Sequence, residues 1–415
     1  MRRLLLGTTG IAVWLASTHV GLGQIDPEPR QLIQFGYNQP LQGRGPLAAY
    51  AFYYDNIPHW QSTNLTLRLA VAPVYLDSEL GISKVFGPHT DLGIGVSGGA
   101  FADNYSEIRK GVLEQAESYI GHAAEVSLSV YHKFNPLPDG VTPTTIGEVP
   151  LQALFRVAPH YSIYGRDNNT SPQFQLPGDR VALHVRTGLR WGGREPLLVP
   201  DRAMELSIWY DGQFRSDTDS YGYDGDRDVK AQVHQFWARA LVAFGETNSP
   251  HHFETSITVG ASIHADRMGA YRVGGYLPLV SEFPLEVPGY YFQEYSAERF
   301  ALMSGTYSLA LGDSRRWELV ANGAIAGLGY LPELRQDNNW VSGLGGGVGY
   351  HSTSGLWHIL AIYSYGFQAV RSHGQGASSV AVLIQMDLDR SPGIRRAWKD
   401  LGVNILKGVD GVFRR

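Results

Sequence analysis

The sequence predicts an all-β protein, a transmembrane antiparallel β-barrel of about 16 strands followed by a C-terminal amphipathic helical tail. Three observations carry this expectation. Segments of about ten residues alternate apolar with polar side chains, and their polar rows hold full charges, which a water-filled lumen accepts and a dry core excludes. The chain has 49 Gly, 23 Tyr and 9 Trp but only 18% charged residues and no Cys, a balance suited to a membrane barrel and closed to thiolate or disulfide chemistry. Finally, no stretch beyond the N-terminus approaches the roughly 20 apolar residues that a membrane-crossing helix needs, so a membrane protein here has to cross with strands.

In chain order, Met1-Arg2-Arg3, an apolar core from Leu4 to Ser17 and the small residues of Gly21-Leu22-Gly23 read as a signal peptide over 1–23. The barrel is expected over 24–389 and a periplasmic tail over 390–415. Removing the two leader arginines takes the net charge from −5 to −7; the tail, with seven Arg/Lys against Asp400 and Asp410, carries +5, which leaves the barrel region at −12. That balance argues against a nucleic-acid partner.

Alternation defines the strands. Phe253, Thr255, Ile257, Val259, Ala261 and Ile263 form one row against Glu254, Ser256, Thr258, Gly260, Ser262 and His264. Met204, Leu206, Ile208 and Tyr210 oppose Glu205, Ser207, Trp209 and Asp211, and Val380, Val382, Ile384, Met386 and Leu388 oppose Gln385, Asp387 and Asp389. Continuing in this way places sixteen strands, centred near residues 34, 51, 68, 81, 96, 127, 157, 186, 209, 238, 259, 304, 322, 346, 363 and 383. Connections sort by parity into long outer loops, such as 105–118, 166–179, 217–229 and 266–296, and short periplasmic turns. Two proline-rich periplasmic connections, 134–148 and 192–202, stand out as long. Pro73 is expected at a strand end and Pro159 at a bulge.

After the last strand, Ile394, Trp398, Leu401, Ile405, Val409 and Val412 recur at helical spacing among Arg395, Arg396, Lys399 and Lys407. This pattern gives either an interfacial helix or a loosely docked terminus, since Gly402, Gly408 and Gly411 weaken the helix.

The most distinctive stretch is the loop from Tyr271 to Ser296. Arg272-Val273-Gly274-Gly275, then Pro288-Gly289-Tyr290-Tyr291-Phe292-Gln293-Glu294, then Glu298-Arg299-Phe300 entering a strand, resemble the bacterial surface antigen superfamily of outer-membrane barrels, which includes assembly factors, two-partner-secretion transporters and patatin-fused barrels. The family usually has Arg before the second glycine, where this chain has Pro288, and the two halves of the motif are further apart here. The resemblance implies that the loop folds back into the barrel between strands eleven and twelve, with Arg272, Gly274, Gly275, Gly289, Tyr290 and Glu294 as its key residues. It also implies periplasmic repeat domains ahead of the barrel, for which residues 24–47 leave no room. Lumen-facing Arg68, Arg156, Arg186, Arg190, Arg239, Glu205, Asp211 and Glu254, together with Glu125, either select permeants or pair with one another and with the inserted loop.

Chemistry elsewhere is sparse. Gly95-Val96-Ser97-Gly98-Gly99 matches a nucleophile elbow, but it alternates as a strand and no helix follows. Asp217, Asp219, Asp224, Asp226 and Asp228 crowd one outer loop without the ligand spacing of an EF-hand. His251-His252 project to opposite faces of a strand. No catalytic, cofactor or metal residue is assigned. The expected function is a pore or transport barrel in the outer membrane, gated or plugged by the loop 271–296. The alternatives are a non-conducting docking barrel and, less favoured for want of a serine, histidine and acid set, a lipid hydrolase. The expected partners are outer-membrane lipid and the barrel assembly machinery that inserts the chain; the permeant or protein partner is not specified by the sequence.

Overall fold

The computed structural model describes residues 29–136, 149–200, 202–245, 249–372 and 374–390. The leader, most of 134–148 and the tail after residue 390 lie outside them. Sixteen long strands form the wall: β1 (Arg30–Pro40), β2 (Ala48–Pro58), β3 (Leu65–Ala72), β4 (Tyr75–Ile82), β5 (Thr90–Gly99), β6 (Ile120–Lys133), β7 (Leu151–Gly165), β8 (Arg180–Gly193), β9 (Arg202–Arg215), β10 (Gln232–Gly245), β11 (His251–Ile263), β12 (Tyr295–Leu311), β13 (Trp317–Tyr330), β14 (Trp340–His351), β15 (Trp357–Arg371) and β16 (Gly374–Asp387). Each pairs antiparallel with its neighbour in sequence, and β1 closes on β16 from Leu32 opposite Asp387 to Pro40 opposite Ser379. Closure leaves no sheet edge, which is the condition for placing strands in lipid.

The alternating rows become the two sides of this wall. Ile257, Val259, Leu206, Ile208, Phe236, Val242 and Phe244 are exposed on the outside, while Thr258, Glu205, Ser207, Trp209 and Arg239 are buried inside. This outer apolar belt is the lipid-facing surface of an outer-membrane barrel. The lumen is not uniformly polar. Leu360, Ile362, Ala381 and Leu383, on the inner faces of β15 and β16, form an apolar cluster with Tyr276 and Leu277 of the long loop and Leu198 of the turn between β8 and β9. Both faces of these strands are apolar because both are covered, one by lipid and one by protein.

Three local expectations change. Pro159 sits opposite Leu183 in an unbroken β7–β8 register; on its other side the β6–β7 ladder lacks pairs between 125/160 and 128/157 but keeps its offset, so the missing N–H is absorbed without a bulge. Leu388 leaves the lipid row, because the chain turns into a single 3₁₀ turn at Leu388–Arg390 that buries it. The segment between β8 and β9 is not an ordinary periplasmic turn, since it enters the barrel: the Gln34 amide donates to the Pro196 carbonyl (2.7 Å) and the Leu198 N–H to Gln385 Oε1 (2.9 Å), which ties it to β1 and β16 across the mouth.

On the outer side the connections pack on one another. Tyr105, Tyr119, Phe174, Tyr221 and Val229, drawn from three loops, form one cluster, and buried Arg227 joins it by lying 4.7 Å over the Phe174 ring and pairing with Glu117. The aspartates at 217–228 therefore belong to a folded loop. Among the described residues, none of them joins a group of three possible metal donors.

Candidate functional site

The loop between β11 and β12 crosses the lumen. Its base is a narrow hairpin: Tyr271–Val273 pairs with Tyr295–Ala297, the Gly274 N–H donates to the Leu285 carbonyl (2.9 Å), and Gly275 bridges Val287. Gly274 and Gly275 have φ of 130° and 80°, values that side chains oppose, and a Cβ on Gly275 would lie 2.8 Å from the Phe292 backbone.

From this base, the second half of the loop docks on β14 and β15. Gly343 and Gly366 face each other across that ladder and leave a notch in the wall. Into it fit Pro288 and Gly289: a Cβ on Gly343 would lie 1.9 Å from the Pro288 carbonyl oxygen, and one on Gly289 would lie 2.0 Å from the Gly366 nitrogen. Pro288, which departs from the family pattern, is thus a backbone contact at the notch. Tyr290 is fully buried against Gly366; its hydroxyl donates to the Ser342 carbonyl (3.1 Å) and accepts from the Gln368 N–H (3.1 Å). The Tyr291 hydroxyl donates to the Gln42 carbonyl (3.1 Å), and the Arg371 guanidinium lies 3.6 Å over its ring. Glu294 accepts two bonds from Arg371, at 2.8 and 2.9 Å, and one from the Tyr291 N–H at 2.8 Å. Both members of that ion pair are 1% exposed. Arg272 donates to Ser296 Oγ (2.7 Å) and the Ser106 carbonyl (2.8 Å) and lies 5.2 Å over the Tyr105 ring, which fastens the loop to the outer cluster.

The tip reaches the opposite wall. Glu282 accepts from Arg190 (2.8 Å), its carbonyl accepts from Arg239 (3.0 Å), and both arginines bind the buried Glu205, at 2.9 and 2.6 Å. Phe283 packs edge-on against the stacked pair Trp209 and Trp237, with ring centroids at 5.5 and 5.7 Å and Arg239 at 4.4 Å over its face. In mid-lumen, Glu286 Oε1 is shut off from solvent without a hydrogen-bond partner, and burial pushes its carboxyl up to about 8.

The other lumen charges also meet opposite charges: Arg68 with Asp77 (3.0 Å), Arg156 with Glu79 (2.6 Å), Arg186 with Asp211 (2.8 Å) and Glu254 with Arg194 (3.2 Å). Glu79, Arg194, Glu282 and Arg371 were not singled out in the sequence, although Glu79 falls on an alternating strand and the inward row contained its signal. Ser97 lies within β5, opposite Asp77 and Glu125. His251 and His252 diverge, one toward Tyr307 and one toward the Pro200 carbonyl. Beside the loop a cavity of about 1330 Å³ remains, lined by Arg68, Arg156, Arg186, Arg190, Arg194 and Arg239, and bounded by Asn104 of the outer loops and Glu195 of the β8–β9 segment.

No protein-family model and no curated sequence matches the chain. Solved structures do share its fold. CdiB from Acinetobacter baumannii superposes with a TM-score of 0.53 at 11% identity, over 86% of this chain and 60% of that one. CdiB from Escherichia coli gives 0.50 at 13% identity, over 85% and 62%. The chain thus spans about three fifths of the length of these relatives. Its fold is a closed sixteen-stranded antiparallel barrel like theirs, and the protein is a bacterial outer-membrane β-barrel.

Proposed function

We propose that the protein is a transport barrel in which the loop between β11 and β12 is the gate. The observation that carries this reading is the loop's two-sided attachment: Tyr290 and Glu294 hold one wall while Glu282 and Phe283 hold the other, beside a cavity that extends from the outer loops to the β8–β9 segment. The two attachments differ in kind. The docking side is built from buried, close-fitting contacts; the tip rests on one carboxylate, one ring and a carbonyl, and Glu282 is partly exposed. The tip is therefore the end that releases. Insertion by the barrel assembly machinery and annulation by outer-membrane lipid belong to the same reading, which assigns the barrel no catalytic role.

Replacing Glu282 and Phe283 by alanine together removes the tip contacts and leaves the wall intact. Solute flux into proteoliposomes is then expected to rise above wild type. Flux equal to wild type in a correctly folded variant would count against gating. A second reading, a non-conducting barrel, draws on the contact of Leu198 with Tyr276 and Leu277, by which the β8–β9 segment covers the loop from the periplasmic side. Absence of flux in both proteins would favour it.

A further inference from the structure

We propose that Glu125, His160 and His184 form a binding site for one divalent transition-metal ion of the Zn²⁺ type, with Asp103 as the residue that orients His160. The three donors stand on the inner faces of β6, β7 and β8, near the outer ends of those strands. Glu125 is opposite His160 in the ladder, and His184 lies diagonally beyond it, opposite Ala158.

Two features point to a shared ion. First, both rings aim the same nitrogen at the same oxygen: His160 Nδ1 is 3.2 Å and His184 Nδ1 3.1 Å from Glu125 Oε2, and the three atoms lie within 4.8 Å of one another. A tetrahedral site with bonds of about 2.0–2.1 Å has edges of about 3.3–3.4 Å, so the donors need only small shifts to surround an ion. Second, the surroundings of His160 suit a ligand: its Nε2 is 2.9 Å from Asp103 Oδ2, on the side away from Glu125, and its ring stacks 4.5 Å from that of His184. With an ion, both imidazoles are neutral and turn their Nδ1 lone pairs inward. The Nε2–H of His160 then donates to Asp103, which the Ser162 hydroxyl holds from behind. A carboxylate behind a ligating histidine is the usual support for such a centre, and three protein donors leave a fourth position for water.

Asp103 belongs to the outer loop between β5 and β6, while the three donors belong to the wall. A bound ion therefore pins that loop, whose Ser106 carbonyl also receives Arg272 from the lumen-crossing loop. A further group, Glu318, His351 and His358, has the same donor types at the periplasmic mouth and has to be silenced in any test.

The reference protein is the full chain carrying His351→Gln and His358→Gln, refolded in detergent, with heat-modifiable mobility as the check of folding. Calorimetric titration with Zn²⁺ is expected to give one ion per chain, and Co²⁺ in its place the strong visible absorption of a four-coordinate N/O site. Adding Glu125→Gln and His184→Gln is expected to abolish both signals. Asp103→Asn keeps the three donors and should weaken Zn²⁺ binding roughly 10- to 100-fold while retaining the Co²⁺ band. No Zn²⁺ uptake by the folded reference, or uptake unchanged by Glu125→Gln with His184→Gln, overturns the site and leaves an ion-pair network. Unchanged affinity in Asp103→Asn overturns the orienting role.

Discussion

Arg371 is the residue on which the docked half of the loop depends, because it is the cation that meets buried Glu294 and it also covers Tyr291. Removing one member of a buried pair strands the other charge, at a cost of about 3–5 kcal/mol, whereas removing both is far milder. Arg371→Met is expected to destabilise the barrel by that amount in urea titrations of tryptophan fluorescence, and Glu294→Gln with Arg371→Met to recover most of the loss. Glu286 gives a pH dependence. Its carboxyl is raised from 4.5 to about 8 in the docked loop, so docking is fully supported below pH 4.5 and loses support as pH rises through 8. Flux through wild type is expected to increase between pH 6 and pH 9, and Glu286→Gln to stay low throughout. Glu294 and Arg272 were visible in the sequence because they sit in a compact motif. Arg371 and Arg194 were not, since a partner across a lumen is fixed by closure and not by spacing along the chain.

Strands were the most legible elements. Period-two alternation reports directly which side chains meet lipid, and the sixteen expected centres fall inside the sixteen strands of the wall. A charge at mid-membrane depth on the lipid side costs about 2–4 kcal/mol. Val259→Arg should therefore impair assembly, read as heat-modifiable mobility, more than Thr258→Arg, whose side chain enters the cavity. The notch in β14 and β15 escaped notice, because Gly343 and Gly366 are two of 49 glycines and only the register makes them neighbours. A Cβ on Gly366 would lie 2.7 Å from the Tyr290 ring. Gly366→Val is expected to expel the loop, so that protease added to intact cells cuts within 276–294; resistance equal to wild type would remove the notch from the docking scheme. That the long β8–β9 connection enters the lumen was not legible, because proline content marks a rigid connection without saying whether it folds into the barrel mouth or away from it.

Across the whole molecule, strand number and the crossing loop form one design. Sixteen strands enclose more space than their own side chains fill. The remaining volume is divided between the loop, the β8–β9 segment that meets it at Leu198, and the arginine-lined cavity. The sequence carried the barrel, its parity and the presence of an inserted loop. It did not carry the division of the lumen, because the apolar inner row of β15–β16 and the charged inner rows of β7–β11 become opposite walls only after closure. The decisive measurement is single-channel conductance in planar bilayers for a chain in which Tyr276–Glu286 is replaced by Asn-Gly, a turn that suits the paired Gly275 and Val287 and leaves the docked half in place. A stable conductance well above wild type is the expected result; a correctly folded variant with wild-type conductance would contradict a lumen closed by this loop.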